Sequence, residues 1–190
     1  QAHPRRGDRG EGLLGGHDAT QATVRELIAE ATVPLVLDAD GLNALHGDLT
    51  TLRSRAAAGR VTVLTPHDGE YARLTGAVPG SDRIAAARAL ADASGAVVLL
   101  KGPTTVIAEP GAGGRVACNP TGGPALATAG SGDVLAGMLG ALLAGGAGPF
   151  EAGAAAAWMH GRAADRSGNT GLVAGDLVAA IPMVVDDLRR

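Results

Sequence analysis

Gly130, Ser131, Gly132 and Asp133 put a carboxylate at the join between a polar glycine stretch, which begins at Asn119, and an apolar run from Val134 to Gly146. Gly122, Gly123, Gly130 and Gly132 let the backbone approach a ligand closely and take positive φ where needed. Leu135, Met138, Leu139, Leu142 and Leu143 recur at three- and four-residue intervals, the period of a buried helix, and Gly145 and Gly146 end it. A helix that starts in glycines leaves its first N–H groups unpaired, with the positive end of the macrodipole behind them, which makes an anion hole. A carboxylate at the rim of such a hole repels phosphate. Asp133 therefore makes chemical sense as a base that takes a proton from a hydroxyl attacking that phosphate, while the hole stabilises the transferred charge. It also makes sense as a first-turn carboxylate favoured by the dipole, and from these four residues alone that second reading carries more weight.

The elements that must position this turn follow a repeating pattern. Val33 to Leu37 is a short continuous apolar run, as in a parallel strand covered on both faces, and it ends in Asp38, Asp40 and Asn43. Val61 to Leu64 repeats the pattern and ends in Thr65-Pro66-His67-Asp68-Gly69-Glu70, and Ala96 to Leu100 delivers Lys101-Gly102. Helices are predicted over 48–58, over 71–75, and after a Ser81 cap with Ile84, Ala87, Leu90 and Ala91 inward. Gly10 to Gly16 reads as a glycine loop feeding a helix capped by Asp18, with Val24, Leu27, Ile28 and Ala31 on one face. Residues 105–108 and 115–118 flank a glycine turn as a β-hairpin. A further helix over 150–165 buries Ala154, Ala155, Trp158 and Met159, and the tail from Asp176 is helical with a break at Pro182. Strands alternating with helices, each strand ending in polar residues, predict a three-layer α/β/α fold with a mostly parallel central sheet. Ligands then lie at the carboxyl ends of the strands. That puts Asp38, Asp40, Asn43, His67, Glu70, Lys101 and the Gly130–Asp133 turn on one rim.

Composition narrows the classes. The 190 residues make a single domain by size. The three aromatics, Tyr71, Phe150 and Trp158, leave no base-stacking platform, and a net charge of −3 with scattered signs gives no basic patch for nucleic acid. No apolar run suggests a membrane span. Cys118 is the one cysteine, which excludes an internal disulfide framework and makes a reducing cytoplasm the default location. Arg outnumbers Lys fifteen to one, so Lys101 is the sole lysine for any chemistry. His17, His46 and His160 have no metal-cage spacing and read as bland.

Four stretches, LDADGLNAL (37–45), TPHDGEYARL (65–74), LLKGPTTVIA (99–108) and PALATAGSGDVLAGML (124–139), resemble in order and approximate spacing the NAD(P)H-hydrate dehydratases of the ribokinase-like superfamily. GEGLLGGHDAT (10–20) is similar to that family's GPGLG segment, so the likeness runs from about Gly10 to Leu188. Departures are Glu11 for the usual Pro, Gly41 for Ala, Asp68 for Pro, and Pro103-Thr104 for Ala-Gly; Pro103 removes one backbone donor from its loop. Family members open with a strand and helix block carrying a glycine-rich segment. The expectation is thus a single domain over 1–190, incomplete at the N-terminus, with 1–9 disordered and one sheet edge exposed.

The resemblance implies an ADP-dependent (S)-NAD(P)H-hydrate dehydratase, a hydro-lyase returning hydrated NADH or NADPH to the normal cofactor with release of AMP and phosphate. ATP is the other possible co-substrate, and the Ala/Gly/Arg-rich composition leans towards ADP. It implies Asp133 as base with Gly130, Ser131 and Gly132 around the transferred phosphoryl group. Gly12, His67, Asp40, Asn43 and Asp133 would meet substrate, and Lys101, Gly102, Pro103, Thr104, Thr105 and Gly132 the nucleotide. Glu70 would orient Mg2+ through water. Without the family, His67 reads equally as a helix cap, Glu70 as a first-turn carboxylate, Lys101 as a solvated strand-end lysine, Gly12 as a turn glycine, and Asp40 and Asn43 as turn residues. A homo-oligomer and an NAD(P)H-hydrate epimerase, fused or separate, are implied partners. The competing readings are a vitamin-precursor kinase of the same superfamily, against which His67 speaks, and a non-catalytic nucleotide-binding fragment.

Overall fold

The computed structural model describes residues 11–168 and 171–189, with side chains from residue 19 onward. Short apolar runs form a five-stranded sheet in the order β1 (Leu35–Leu37), β2 (Thr62–Leu64), β3 (Val97–Leu100), β4 (Val106–Ala108) and β5 (Val116–Cys118). β1, β2 and β3 are parallel, with Val36 opposite Val63 and Leu64 opposite Val98. β3, β4 and β5 are antiparallel, the last two being the predicted hairpin. Among the described residues β1 pairs with β2 alone and so forms one edge of the sheet.

Alternation along the strands sorts the core into two layers, because successive side chains point to opposite faces. Leu64, Val98, Leu100, Val106 and Ala108 pack against Ile28 of α1 (Glu11–Glu30), Leu52 of α3 (Thr50–Ala57), Tyr71 of α4 (Asp68–Thr75) and Leu90 of α5 (Arg83–Ser94). Val63, Val97, Leu99 and Ile107 pack against Leu135 and Leu139 of α6 (Ser131–Ala144) and Ala152 and Ala156 of α7 (Pro149–Ser167). The result is the predicted three-layer arrangement. A third cluster joins α7 to α8 (Ala174–Asp187) through Ala163, Ala164, Leu177 and Val184. Arg55, 2% exposed, ties the lower edge together: its guanidinium donates to Ile28 O, Ala31 O, Val33 O and Val61 O and to the Thr62 hydroxyl. Spreading one buried cation over carbonyls at the end of α1 satisfies its donors without a carboxylate.

Several boundaries differ from the sequence reading. The described part of α1 begins at Glu11, so helix stands at 11–16, in place of the expected glycine loop, and at the expected Asp18 cap, while Gly10 lies outside the described residues; glycine in a helix costs about 1 kcal/mol each and does not forbid it. Asp82, not Ser81, caps α5 by accepting from Ala85 N–H. Leu27 and Ile84, expected inward, are 63% and 43% exposed. Helix α7 is rotated by about one position, burying Ala152, Gly153, Ala156 and Ala157 in place of Ala154, Ala155, Trp158 and Met159. The small residues face the sheet because the approach is close: a Cβ on Gly153 would lie 3.3 Å from Ile107 Cγ2. Helix α8 runs through Pro182 unbroken, since the carbonyl that Pro182 leaves unpaired belongs to Val178, on the solvent side. Among the described residues no helix is long and apolar enough to cross a membrane.

Candidate active site

The carboxyl ends of the three parallel strands deliver one charged group each from β1 and β3 and a helix cap from β2. Asp38 follows β1, and Lys101 follows β3, its N–H bonded to Pro66 O beyond β2 at 2.8 Å. Lys101 Nζ donates to Asp38 Oδ1 at 2.7 Å and lies 3.8 Å from Glu70 Oε2. Both carboxylates are mostly buried, Glu70 at 5% exposure and Asp38 at 15%, so a single lysine holds two carboxylates away from water. The backbone between Asp38 and Asp40 is strained to do this: Ala39 has φ 45° and ψ −113°, outside the ordinary regions for a residue with a Cβ.

Two helix N-termini meet this pair. His67 caps α4, its Nδ1 accepting from Gly69 N–H at 2.9 Å and Glu70 N–H at 3.3 Å, while Glu70 Oε2 accepts from His67 N–H at 2.8 Å. Because Nδ1 accepts, the proton of the neutral ring sits on Nε2, which lies 3.5 Å from Glu70 Oε1. At α6 the cap is Gly130, in the left-handed region at φ 82°, with no side chain bonded to the helix. Ser131 N–H turns back to Thr128 O at 3.3 Å, and the Ser131 hydroxyl donates to Leu126 O at 2.6 Å. Gly132 and Asp133 have no intrahelical acceptor for their N–H groups at these positions. A Cβ on Gly132 would lie 3.2 Å from Asp38 Oδ2 and 3.6 Å from Lys101 Nζ, so the start of α6 is in contact with the ion pair.

Behind that turn stands His160 of α7, buried, its Nε2–H donating to Ser131 O at 2.9 Å. Burial pushes this imidazole below its ordinary pKa; the hydrogen bond to Ser131 opposes the shift and the Lys101 cation adds to it. His160 is therefore a neutral ring holding the first carbonyl of α6 in place.

The predicted residues divide accordingly. Lys101, Glu70, His67, Gly132 and Asp133 come to one rim, with Asp133 exposed in the first turn of α6. Gly102, Pro103 and Thr104 are exposed on the loop after β3, and Thr105 is half-buried. Asp40 and Asn43 lie on α2 (Asp40–Asn43), Asn43 Nδ2 donating to Asp40 Oδ1 at 3.4 Å, and line a cleft shared with His46 and Arg73. Gly12 falls within the first turn of α1, and the side chains of residues 11–18, His17 among them, lie outside the described ones. Sequence reasoning placed Asp38 on the rim without giving it a role, missed Arg83, and passed over His160 as bland. A signal was available for Asp38, as the first polar residue after a buried strand. For His160 the sequence holds only a histidine at the end of the apolar run of a helix, with no neighbouring motif.

The chemistry that this geometry permits is anion binding by the α6 amides and the Lys101 ammonium, which has donors left after Asp38 takes one. A resident metal does not fit. Among the described residues no three His, Cys, Asp or Glu side chains converge, and Glu70 is taken up by the His67 N–H beside a lysine.

Known proteins are similar to this chain in sequence and in structure. The chain is 54% identical over 157 residues to a bifunctional NAD(P)H-hydrate repair enzyme of Mycobacterium leprae, covering 82% of this chain and 31% of that protein. It is 43% identical over 176 residues to an ADP-dependent (S)-NAD(P)H-hydrate dehydratase of Neisseria meningitidis serogroup B, covering 88% of this chain and 58% of that one. A crystal structure of an ADP/ATP-dependent NAD(P)H-hydrate dehydratase from Bacillus subtilis, co-crystallized with ATP and Mg2+, superposes with a TM-score of 0.73 at 32% identity over 85% of this chain and 57% of that one. The chain thus spans about a third to three fifths of the length of these relatives. Residues 10–182, which include every strand and the turn before α6, match the NAD(P)H-hydrate dehydratase model, and the chain belongs to that family.

Proposed function

We propose that this chain forms the nucleotide and phosphoryl-transfer part of an ADP-dependent (S)-NAD(P)H-hydrate dehydratase. The observation that carries the proposal is the contact between the start of α6 and the Lys101–Asp38 pair, which unites an uncapped helix N-terminus with the chain's only lysine. The β-phosphoryl group of ADP, carried with magnesium, lies against the Gly132 and Asp133 amides, and the Lys101 ammonium offsets its charge. The ring hydroxyl of the hydrate is a poor leaving group. Asp133 accepts its proton as the hydroxyl oxygen attacks the β-phosphorus, and the bond to the bridging oxygen breaks with AMP departing. The lone pair of the ring nitrogen then expels phosphate, and loss of a proton from the neighbouring ring carbon restores the dihydronicotinamide.

In this reading the amides used are those of Gly132 and Asp133, since Ser131 N–H is bonded within the chain. Gly102 to Thr105 lie along the nucleotide; His67, Asp40, Asn43 and Gly12 face the hydrate. Glu70 acts on magnesium only through water and chiefly holds Lys101. A homo-oligomer, an epimerase fused or separate, and cytoplasmic location belong to the same proposal, supported by the bifunctional relatives for the epimerase alone.

The test incubates hydrated NADPH, magnesium and ADP with the full translated product that contains this chain and follows the near-ultraviolet absorbance of the dihydronicotinamide ring. Recovery of absorbance with stoichiometric AMP is expected. Phosphorylation of a vitamin alcohol without recovery would replace the proposal by a kinase, and silence on both by a binding module.

A further inference from the structure

Arg83 is the first residue of α5, where a cation is disfavoured by the helix dipole. Its position is explained by what it reaches. Nη2 donates to Lys101 O at 2.8 Å and lies 2.9 Å from Asp68 Oδ1, in the first turn of α4. The guanidinium lies under Gly102: a Cβ there would clash with Nη2 and stand 2.6 Å from Cζ, and Gly102 has no positive φ that would require glycine for its backbone. The side chain is 18% exposed, while Nε is fully buried and has no hydrogen-bond partner. An orphaned buried donor is costly, so this packing is kept against an electrostatic and a solvation penalty.

We infer that Arg83 is a positioning residue that braces the Lys101–Thr105 loop from beneath and fixes it to the start of α4, so that Lys101 and the His67–Glu70 cap keep a set distance. The brace works by shape as well as charge. The planar guanidinium fits the space below a glycine with Nη2 between Lys101 O and Asp68 Oδ1, whereas a tetrahedral ammonium does not reproduce that flat packing. Gly102 is glycine because the guanidinium takes the place of its side chain. Lys101 is thereby held at both ends, its carbonyl by Arg83 and its ammonium by Asp38. The inference rests on the reading that this loop lines a nucleotide.

The experiment titrates ADP with magnesium by calorimetry into the wild-type protein and into the Arg83→Lys, Arg83→Ala and Gly102→Ala variants, with hydrogen exchange recorded for each. Gly102→Ala leaves Arg83 in the chain and expels only its guanidinium, so it should reproduce Arg83→Ala. Both should weaken ADP about ten-fold, the size of one lost hydrogen bond to a charged group. Exchange should rise over 102–105 and stay unchanged in β2 and β3, which a global loss of stability would not produce. Arg83→Lys should fall between. Millimolar guanidinium should restore part of the affinity in Arg83→Ala and none in Gly102→Ala, where the space is filled. Wild-type binding with unchanged affinity in both alanine variants would overturn the brace. No ADP binding by the wild-type protein would instead overturn the nucleotide reading on which it stands.

Discussion

The two helix N-termini at the rim differ in who uses their donors. Helix α4 closes on itself: the His67 ring takes the Gly69 and Glu70 amides and the Glu70 carboxylate takes the His67 amide. Helix α6 has a left-handed glycine where a capping side chain would sit, and the Ser131 hydroxyl points backwards to Leu126 O. One terminus is complete without a ligand, and the other is capped by no side chain among the described residues. Charge near helix termini therefore does not by itself mark the reacting end of the site; the decisive feature is a cap left out. Lys101 stands between the two, paired with Asp38 and within 3.8 Å of Glu70.

The largest effect should come from removing the proposed proton acceptor at the open terminus. Asp133→Asn keeps the shape and the first-turn position but accepts no proton, and turnover should fall by about 10²–10⁴-fold with ADP affinity changed less than about three-fold. Retention of more than about a tenth of the rate would leave under ~1.4 kcal/mol for the assigned step and remove Asp133 from the base role. Gly130→Ala tests the terminus itself. At φ 82° an alanine costs about 1–2 kcal/mol, and its Cβ would press on Ala174 Cβ at 3.2 Å. Melting should shift down, and the ADP affinity should drop with it. The corresponding loss should be absent from Gly137→Ala, in the same helix with open space around it and no positive φ.

How far this contrast was readable from residue order depends on the range of the interaction. Strand ends were legible: an apolar run followed by Asp38, by Thr65 to Glu70, or by Lys101 is a local pattern, and the parallel-sheet rule gathers all three on one rim. The open cap was legible too, from Gly130 and Gly132. The partners were not. Lys101 finds Asp38 across 63 positions, His160 finds Ser131 across 29 and Arg83 finds Lys101 across 18, and each depends on helix rotations that the local pattern leaves free. Helix α7 shows why: its Ala and Gly run has too little hydrophobic contrast to fix which face turns inward, and the inward face is set by how close the sheet must come. The sequence reading turns Ala154, Ala155, Trp158 and Met159 inward as one face; in the structure Trp158 and Met159 are half-buried at the margin.

His160 offers a pH test of the support behind the open terminus. Its folded pKa is depressed by burial, so the folded state keeps the ring neutral while the unfolded chain protonates it near its ordinary pKa of about 6.5. Stability from this group is complete above that value and is lost as pH falls through it towards the lower folded pKa. The slope is at most about 1.4 kcal/mol per pH unit. Melting temperatures recorded from neutral to mildly acid pH should fall more steeply in the wild type than in His160→Gln, which keeps a donor for Ser131 O but does not titrate. Equal slopes would mean that another group carries the acid sensitivity.

The smallest effect is expected at the closed terminus, and it decides whether His67 is more than a cap. In this structure the ring's Nδ1 is spent on α4 and Nε2 lies 3.5 Å from Glu70 Oε1, on a side chain that is 53% exposed and so open to a substrate. His67→Ala removes the cap and should cost about 0.5–1 kcal/mol of stability. His67→Asn supplies a side-chain oxygen to the same two amides and should restore melting to within about 0.5 kcal/mol of wild type. A cap and a substrate contact then separate cleanly in the Asn variant. If the ring also meets the hydrate through Nε2, KM for the hydrate should stay raised by about two- to ten-fold, one ordinary hydrogen bond, while ADP affinity returns to normal. Recovery of KM together with melting would show that His67 serves α4 alone, and the two termini would then differ completely, one holding the fold and the other performing the reaction.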